Sequence, residues 1–337
     1  LIMLGGVLVN FILAIIIYAS VLFVWGERYL PTSEVNKHGI MADSLAETVG
    51  FEDGDKILAV NGKEVEKFRN VFQEMLLNRP SSIKIQRGQE IKTIAIPDSI
   101  FPKLLNDPTF FQPRFYPVVG KIPDSSPAVN TGLQKGDRIV SVNEENITYH
   151  DQLQKKLARL KNQAATIQVK RNGETKEINV SVNDKGQIGF YPGGNMADIY
   201  NLETLNYGIL ASIPAGIDKG LETFSSYLKQ LGLIFSPDTG AYKEVGSFIT
   251  IGKIFPASWD WYSFWNLTAF LSIILAIINV LPIPALDGGH VMFLGYEMIS
   301  GHKPSDKFLE YAQIVGMLIL LTIMVYAIGN DFVKYVF

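Results

Sequence analysis

Residues 264–290 have the sequence FWNLTAFLSIILAIINVLPIPALDGGH, in which an apolar run leads into two prolines and an acidic residue. At 1.5 Å per residue, about 20 apolar residues cross the roughly 30 Å hydrocarbon core of a bilayer. Pro282 and Pro284 cannot both lie in a helix interior, because each lacks a backbone N–H. We therefore predict a spanning helix that unwinds at about Leu281, at a depth where loose backbone survives only inside protein or beside water.

Two polar side chains stand out in this segment, Asn279 and Asp287. Ionisable groups at a membrane are costly, so a functional site is the default hypothesis. Structural roles stay open: Asp287 could cap a helix beginning near Gly288, and Asn279 could hydrogen-bond to a neighbouring helix. His290 is either a third ligand or a surface residue, and its interfacial position favours the surface.

Charge is segregated along the 337 residues. Residues 1–26 contain no Asp, Glu, Lys or Arg, whereas residues 27–262 hold 27 of the 30 basic and 28 of the 33 acidic residues. Further apolar runs at 4–25 and 311–329 are also long enough to span a bilayer. This distribution predicts membrane helices at both ends of the chain and a soluble insert between them.

Composition excludes several classes of function. The net charge of −3 excludes a strongly basic nucleic-acid-binding protein, so no nucleic-acid partner is expected. The absence of Cys excludes disulfides, thiolate metal sites and a Cys nucleophile. Lys303 and Lys307 in the loop 300–308 favour a cytoplasmic position for that loop, and counting crossings then places residues 27–262 on the opposite side.

The soluble insert contains a tandem repeat with a spacing of 82 residues. Residues 50–62, GFEDGDKILAVNG, match residues 132–144, GLQKGDRIVSVNE. In each copy a helical pattern (65–77 and 147–160) precedes two short apolar strands, and Asn172-Gly173 is a strong hairpin signal in the second copy. Glu144 replaces the final Gly of the motif, so we expect the turn there to differ.

This pattern resembles the PDZ fold of bacterial envelope proteases, over residues 35–98 and 115–184. The resemblance implies that a peptide is taken up as an added strand at a sheet edge. The alternative is that the two domains are spacers at the membrane surface. Residues 39–42 and 126–129 are candidate loops for a peptide terminus, and His38, His150 and His302 are predicted to be solvated loop residues.

The run N-x-x-P-x-P-x-L-D-G-G-H at 279–290 resembles the conserved LDG segment of the site-2 protease family of intramembrane zinc metalloproteases. GGVLVNF at 5–11 and VGSF at 245–248 resemble two further segments of that family, each without its usual Pro. The order of segments is that of the bacterial regulator-of-sigma-E protease branch. The expected fold is an α-helical membrane protein with three spans and two inserted α+β PDZ-like domains. Its expected segments are 1–26, 35–98, 115–184, an amphipathic membrane-surface segment at 199–255, 264–290 and 309–330.

The resemblance implies that Asp287 is a zinc ligand and that Asn279, Pro282 and Pro284 position the substrate. It implies regulated proteolysis of transmembrane protein substrates, such as anti-sigma factors or remnant signal peptides. The expected location is the bacterial inner membrane, in contact with membrane lipid, with the PDZ-like domains on the periplasmic side. Those domains would provide peptide or protein contacts, or would exclude substrates with bulky ectodomains.

The family's other two zinc ligands and its general base come from H-E-x-x-H, which does not occur in this sequence. We expect these groups upstream of Leu1, so no catalytic residue is assigned within the chain and the 337 residues alone are expected to be inactive. The alternative is a non-catalytic membrane-anchored PDZ adaptor. A transporter is a poorer hypothesis, because three spans show no inverted repeat.

Overall fold

The computed structural model describes residues 2–104, 109–236, 239–256 and 258–336, so Leu1 and two residues of the predicted 199–255 segment lie outside it. The chain forms two compact units, a membrane unit (Leu1–Arg28 and Thr204–Phe337) and a repeat unit (Tyr29–Glu203). The helices are α1 (Ile2–Trp25), α2 (Thr32–His38), α3 (Ser44–Val49), α4 (Phe68–Asn78), α5 (Phe101–Leu104), α6 (His150–Ala158), α7 (Ile209–Ile234), α8 (Phe248–Ile254), α9 (Trp261–Val280), α10 (Asp287–Ser300) and α11 (Asp306–Val336). The strands are β1 (Glu27–Tyr29), β2 (Ile40–Ala42), β3 (Lys56–Val60), β4 (Ser82–Arg87), β5 (Glu90–Ala95), β6 (Phe111–Pro113), β7 (Val118–Lys121), β8 (Arg138–Val142), β9 (Glu145–Asn146), β10 (Ala164–Arg171), β11 (Glu174–Ser181), β12 (Tyr191–Gly193) and β13 (Glu203–Leu205).

The repeat unit contains two copies of one strand order. The predicted hairpins are confirmed as β4–β5 and β10–β11, each paired antiparallel, with β3 and β8 alongside β4 and β10. Asn172 (φ 51°) and Gly173 (φ 90°) make the tight turn of the second hairpin, as Asn-Gly predicts. In each copy a later strand returns to pair with the first one, β6 with β2 and β12 with β7.

The conserved Asp of the repeated motif forms the same ion pair in both copies. Asp55 is fully buried, and Arg87 donates to its two oxygens from Nε (2.7 Å) and Nη2 (2.8 Å). Asp137 is fully buried too, and Arg171 donates to it from Nε and Nη2, both at 2.6 Å. The pair ties the motif loop to the end of the first strand of the hairpin, β4 or β10, which explains why the Asp of the motif recurs.

The turn at Glu144 keeps the geometry of its counterpart, contrary to our expectation. Asn61 and Gly62 have φ of 47° and 76°, and Asn143 and Glu144 have φ of 47° and 68°. Glu144 therefore adopts the left-handed backbone that glycine tolerates without strain and that other residues adopt at a cost of about 1 kcal/mol. The surrounding strands β8 and β9 impose the turn on an unfavourable residue.

Charged and aromatic side chains join the two repeats within the repeat unit. Arg114 Nη2 donates to Asp151 Oδ2 at 2.6 Å, and His38 Nδ1 lies 2.8 Å from the hydroxyl of Tyr149. His38 is therefore half-buried between the repeats, and His150 is 8% exposed at the start of α6. The prediction of solvated loop histidines is wrong for both, because neighbouring aromatic rings cover them, and it holds for the exposed His302.

The membrane unit is built around α1, which packs against α9 and α7. Among the residues that the structure describes, three helices are long and apolar enough to cross a membrane, over Gly5–Trp25, Trp261–Val280 and Asp306–Tyr335. Within the segment predicted at 199–255, Pro214, Gly216 and Gly220 would be expected to interrupt a helix, yet all three lie inside the one 26-residue helix α7. A Cβ at Gly216 would lie 2.7 Å from Ala19, so the glycines of α7 allow close packing on α1.

Candidate active site

The helix break predicted at Leu281 is confirmed. Helix α9 ends at Val280, and Leu281 follows in an extended conformation as its C-cap. Pro284 stands four residues after Val280 and has no N–H to donate to the Val280 carbonyl. The carbonyl oxygens of Val280 and Pro282 accept no hydrogen bond from the part of the chain that the structure describes. The break thus leaves two backbone carbonyls without a hydrogen bond, and that of Val280 lies against Gly288 at the start of α10.

The broken segment is folded into a compact turn. Ile283 N donates to the Leu281 carbonyl at 2.7 Å, and Leu286 N donates to the Ile283 carbonyl at 2.8 Å. A Cβ at Gly288 would clash with the carbonyls of Val280 and Leu281, so only glycine fits there. A Cβ at Gly289 would likewise clash, with the backbone of Ile283 and Pro284. The glycine pair lets the turn lie directly on the first residues of α10.

Asp287 is the first residue of α10, and Leu286 is the N-cap. The alternative role that was open to Asp287, capping a helix that begins near Gly288, is not observed, because α10 starts one residue earlier. The Asp287 carboxylate points toward α1, where a Cβ at Gly6 would lie 3.8 Å from Oδ2. Half-buried, it makes no hydrogen bond or ion pair within the described ranges 2–104, 109–236, 239–256 and 258–336.

The other predicted site residues line the same break. Asn279 and Pro284 are half-buried and Pro282 is exposed. The side chain of Asn279 has no hydrogen-bond partner among the residues placed in the structure. The hydrogen bond between neighbouring helices that was one alternative for Asn279 is absent from these residues. Helices α9 and α1 are joined instead through Ser272, whose Oγ donates to the Asn10 carbonyl at 2.8 Å. His290 is exposed, as its interfacial position favoured.

The described side chains around Asp287 do not by themselves form a complete zinc site. A catalytic zinc needs three protein ligands and an open position for water. Within the described residues no three side chains of His, Cys, Asp or Glu lie close enough together to hold a metal ion. Asp287 alone suits a metal, because its carboxylate is unpaired. These residues therefore supply one of the three protein ligands that a catalytic zinc needs.

A second carboxylate of the membrane unit, Asp331 near the end of α11, was not singled out from the sequence. It is 1% exposed and accepts hydrogen bonds from Ser247 N (2.9 Å), Ser247 Oγ (2.5 Å), Thr250 N (3.0 Å) and Thr250 Oγ1. Asn330 Nδ2 donates to the carbonyl of Val245 at 3.2 Å. Together they fix residues 245–250, the segment containing VGSF, on the last helix. Only the isolated position of Asp331 in an apolar run could have signalled this.

The second repeat carries an open groove, which we call the second-repeat groove, between α6 and residues 186–192. Its cavity has a volume of about 370 Å³, and Ser126 and Pro127 also line it. The candidate loop 126–129 thus lies partly at a groove, whereas most of the candidate loop 39–42 is strand β2. Residues 186–192 were missed because the repeat motif ends before them. Burial lowers the pKa of His150, at the groove wall, to about 4.

Comparison with known proteins gives a consistent assignment. The sequence profile of Peptidase family M50 matches residues 1–323. The chain is 29% identical to Regulator of sigma E protease of Haemophilus influenzae, over 99% of this chain and 78% of that protein. It is 27% identical to a candidate zinc metalloprotease of Pasteurella multocida, over 98% and 77% of the two chains. A candidate zinc metalloprotease of Staphylococcus aureus N315 is 30% identical over 64% of this chain and 52% of its own. The chain belongs to peptidase family M50.

Proposed function

We propose that the protein is an intramembrane zinc endopeptidase that cleaves membrane-spanning substrates and that Asp287 is one of its zinc ligands. The single observation that carries the role of Asp287 is its unpaired carboxylate at the helix break. Membership of family M50 and relatives named as proteases or zinc metalloproteases support the activity. Anti-sigma factors or remnant signal peptides are the proposed substrates.

The remaining zinc ligands and the general base are proposed to come from outside the 337 residues, because the described residues supply one ligand. When bound, zinc would supply a polarising charge and an activated water. In this proposal the chain contributes a backbone carbonyl group at the helix break, to which a substrate can donate hydrogen bonds. The carbonyl of Pro282, an exposed residue, accepts no hydrogen bond in the described ranges and suits a substrate in an extended conformation, whose own N–H groups are free to donate. Asn279, Pro282 and Pro284 would position the substrate there.

The two repeats are proposed to be PDZ-like domains on the periplasmic side of a bacterial inner membrane. Their role would be to admit substrates already trimmed on that side and to exclude those with bulky ectodomains. The segment 199–255 would lie beside the active site in contact with lipid, with α7 resting on α1 through its glycines.

The test is zinc content, measured by inductively coupled plasma mass spectrometry on the protein with any residues that precede Leu1 in its gene. About one zinc per chain is expected, with a loss of most of it in Asp287→Asn. Asp306→Asn is the matched control, since Asp306 is exposed at the start of α11. Equal zinc in the wild type and Asp287→Asn would overturn the assignment of Asp287. A protein without zinc would overturn the enzyme and favour the adaptor.

A further inference from the structure

Helix α11 contains one buried glycine in its apolar first half, Gly316. Of residues 306–326, all of which the structure describes, Gly316 is the only buried one. Its neighbours Val315 and Met317 are 53% and 58% exposed. A buried glycine among exposed apolar side chains indicates a point where the backbone of the helix itself approaches another segment closely.

The segment that Gly316 approaches is the turn at the helix break, residues 281–286. A Cβ at Gly316 would lie 2.7 Å from Ala285 N, 3.2 Å from Pro284 N and 3.3 Å from Ala285 Cβ. The first two are backbone atoms, which cannot swing aside as the end of a flexible side chain can. Because a Cβ essentially never lies within 3.0 Å of such an atom, a side chain at 316 would displace the turn or α11.

The same turn lies directly on α10. A Cβ at Gly289 would lie 2.4 Å from Pro284 Cα, and a Cβ at Gly288 would lie 2.2 Å from the carbonyl oxygen of Val280. Pro284 therefore contacts the backbone of two helices, at Gly289 of α10 and at Gly316 of α11. The position of the turn depends on the absence of side chains from these glycines.

Helix α11 is fixed on either side of Gly316. Before it, the ring of Phe308 meets the ring of Phe293 on α10 edge to face, with centroids 6.0 Å apart. After it, Asp331 accepts a hydrogen bond from Ser247 N at 2.9 Å. A helix with contacts at both ends yields less readily than a short stretch of irregular backbone. We therefore expect a side chain at 316 to move the turn rather than α11.

The turn carries both kinds of open backbone group. The Pro282 carbonyl accepts no hydrogen bond, and the Ala285 N–H donates none, within the residues that the structure describes. One acceptor and one donor on the same turn suit an extended backbone, which offers both a donor and an acceptor at each residue. A Cβ at Gly316 would lie against the Ala285 nitrogen, so Gly316 and this open donor are neighbours.

We propose that Gly316 is a positioning residue of the peptidase. Because it has no side chain, α11 lies directly on Pro284 and Ala285 and so sets the place of the Pro282 carbonyl and the Ala285 N–H, which bind the backbone of the substrate. A side chain at 316 displaces these two groups and weakens substrate binding, while Asp287 keeps its zinc. The contact stands on the structure alone, whereas its effect on the substrate rests on the proposed function.

The kinetic experiment compares Gly316→Ala and Gly316→Leu with Gly329→Ala and Gly329→Leu, in the protein with any residues that precede Leu1 in its gene. Gly329 is the matched control, because it lies on the same helix, is exposed and has no atom within 4 Å of its Cβ position. The KM for a membrane-spanning reporter should rise about tenfold in Gly316→Ala and on the order of a hundredfold in Gly316→Leu, with kcat changed less. Zinc content should equal that of the wild type in all four variants. A purely structural role would instead lower zinc content and kcat together and leave KM unchanged.

A disulfide tests the contact without any activity. The 337 residues contain no Cys, so Gly316→Cys with Ala285→Cys introduces one defined pair. The 3.3 Å between the two Cβ positions is close to the roughly 3.5–4.5 Å of a disulfide, so mild oxidation should join them. Trypsin cuts at Lys307, between the two positions, and a disulfide would keep the two fragments together in mass spectrometry. Gly329→Cys with Ala285→Cys is the control and should not join, because Gly329 lies about 20 Å further along α11.

Several outcomes would overturn the role of Gly316 alone. These are a KM in Gly316→Leu equal to that in Gly329→Leu, a loss of zinc in Gly316→Ala, and no disulfide between positions 285 and 316. In each of these cases a wild type that cleaves the reporter leaves the proposed protease intact. A wild type that cleaves nothing and holds no zinc would refute the proposed function and the role of Gly316 with it.

Discussion

Carboxylates in the two units have different partners. In the repeat unit the buried Asp55, Asp137 and Asp151 each pair with an arginine. In the membrane unit the carboxylate of Asp331 accepts hydrogen bonds from the start of α8, whereas that of Asp287 has no partner in the described ranges. A carboxylate with satisfied oxygens stabilises the fold, whereas one left open is available to a metal. We therefore expect the carboxylates with partners to determine stability, and Asp287 to determine activity.

The largest effect is expected at the open carboxylate. Asp287→Asn should reduce cleavage of a membrane-spanning reporter on the order of a thousandfold, because loss of a metal ligand removes several kcal/mol of transition-state stabilisation. Its thermal midpoint should change little, since the side chain holds no described contact. Reporter cleavage and a melting curve on the same preparation check both. Full activity in Asp287→Asn would contradict the conclusion that the unpaired carboxylate is needed for activity.

The paired carboxylates should show the reverse behaviour. Asp137→Asn leaves the guanidinium of Arg171 without its bidentate partner and should lower the free energy of unfolding by about 3 kcal/mol. Asp55→Asn should have a similar effect through Arg87. The exposed Asp124→Asn serves as the control and should change stability by less than about 0.5 kcal/mol. Urea titration of each variant measures the difference, and a neutral Asp137→Asn would contradict the argument.

The prediction from sequence succeeded where a local pattern determines the structure. Two prolines two residues apart end α9 at the predicted place, and Asn172-Gly173 closes the predicted hairpin. It failed where distant parts of the chain meet. The ion pair of Asp137 joins residues 34 apart, and Asp331 contacts Ser247 from 84 residues away. The repeated motif contains Asp137 but does not identify its partner Arg171, and no pattern in the sequence links Asp331 to Ser247.

The same limit applies to the candidate site. Asp287 was found because an acidic residue after an apolar run is rare, and its position at the helix break follows from Pro282 and Pro284. The glycines at 288 and 289 look like ordinary turn residues in the sequence, yet the structure requires them because the broken segment lies on α10. The groove rim at 186–192 has no motif at all, and only folding brings it to α6.

The stability of the second repeat should depend on pH through His150, whereas its counterpart in the first repeat, Phe68, does not titrate. Burial lowers the pKa of His150 from 6.5 to about 4. Between these values the unfolded chain binds a proton that the folded chain does not. Stability from this residue is therefore complete above pH 6.5 and falls as the pH drops toward 4, by about 3 kcal/mol in all.

The check is the thermal midpoint of the wild type and of His150→Phe between pH 7 and pH 5. The wild type should lose stability more steeply, because the phenylalanine has no proton to bind. Parallel curves for the two proteins would show that His150 is not kept neutral by the fold.

The carboxylate of Asp331 in the membrane unit, whose oxygens also have partners, is expected to stabilise the fold. Asp331→Ala removes the acceptor of four hydrogen bonds that hold the start of α8 and should cost about 2 kcal/mol. Hydrogen exchange should rise at Ser247 and Thr250 and stay unchanged in the repeat unit. The exposed Glu310→Ala on the same helix is the control. Unchanged exchange at Ser247 would show that α11 does not hold this segment.

The smallest effect is expected at the turn where the two repeats differ by one residue. Glu144 has a φ of 68° in the place where the first repeat has Gly62 at 76°. Glu144→Gly should raise stability by about 1 kcal/mol, because glycine adopts this backbone without a clash at Cβ. The exchange in the first repeat, Gly62→Glu, should lower stability by a similar amount. Urea midpoints of the two variants should move in opposite directions, and a shift of both in one direction would show that the turns are not equivalent.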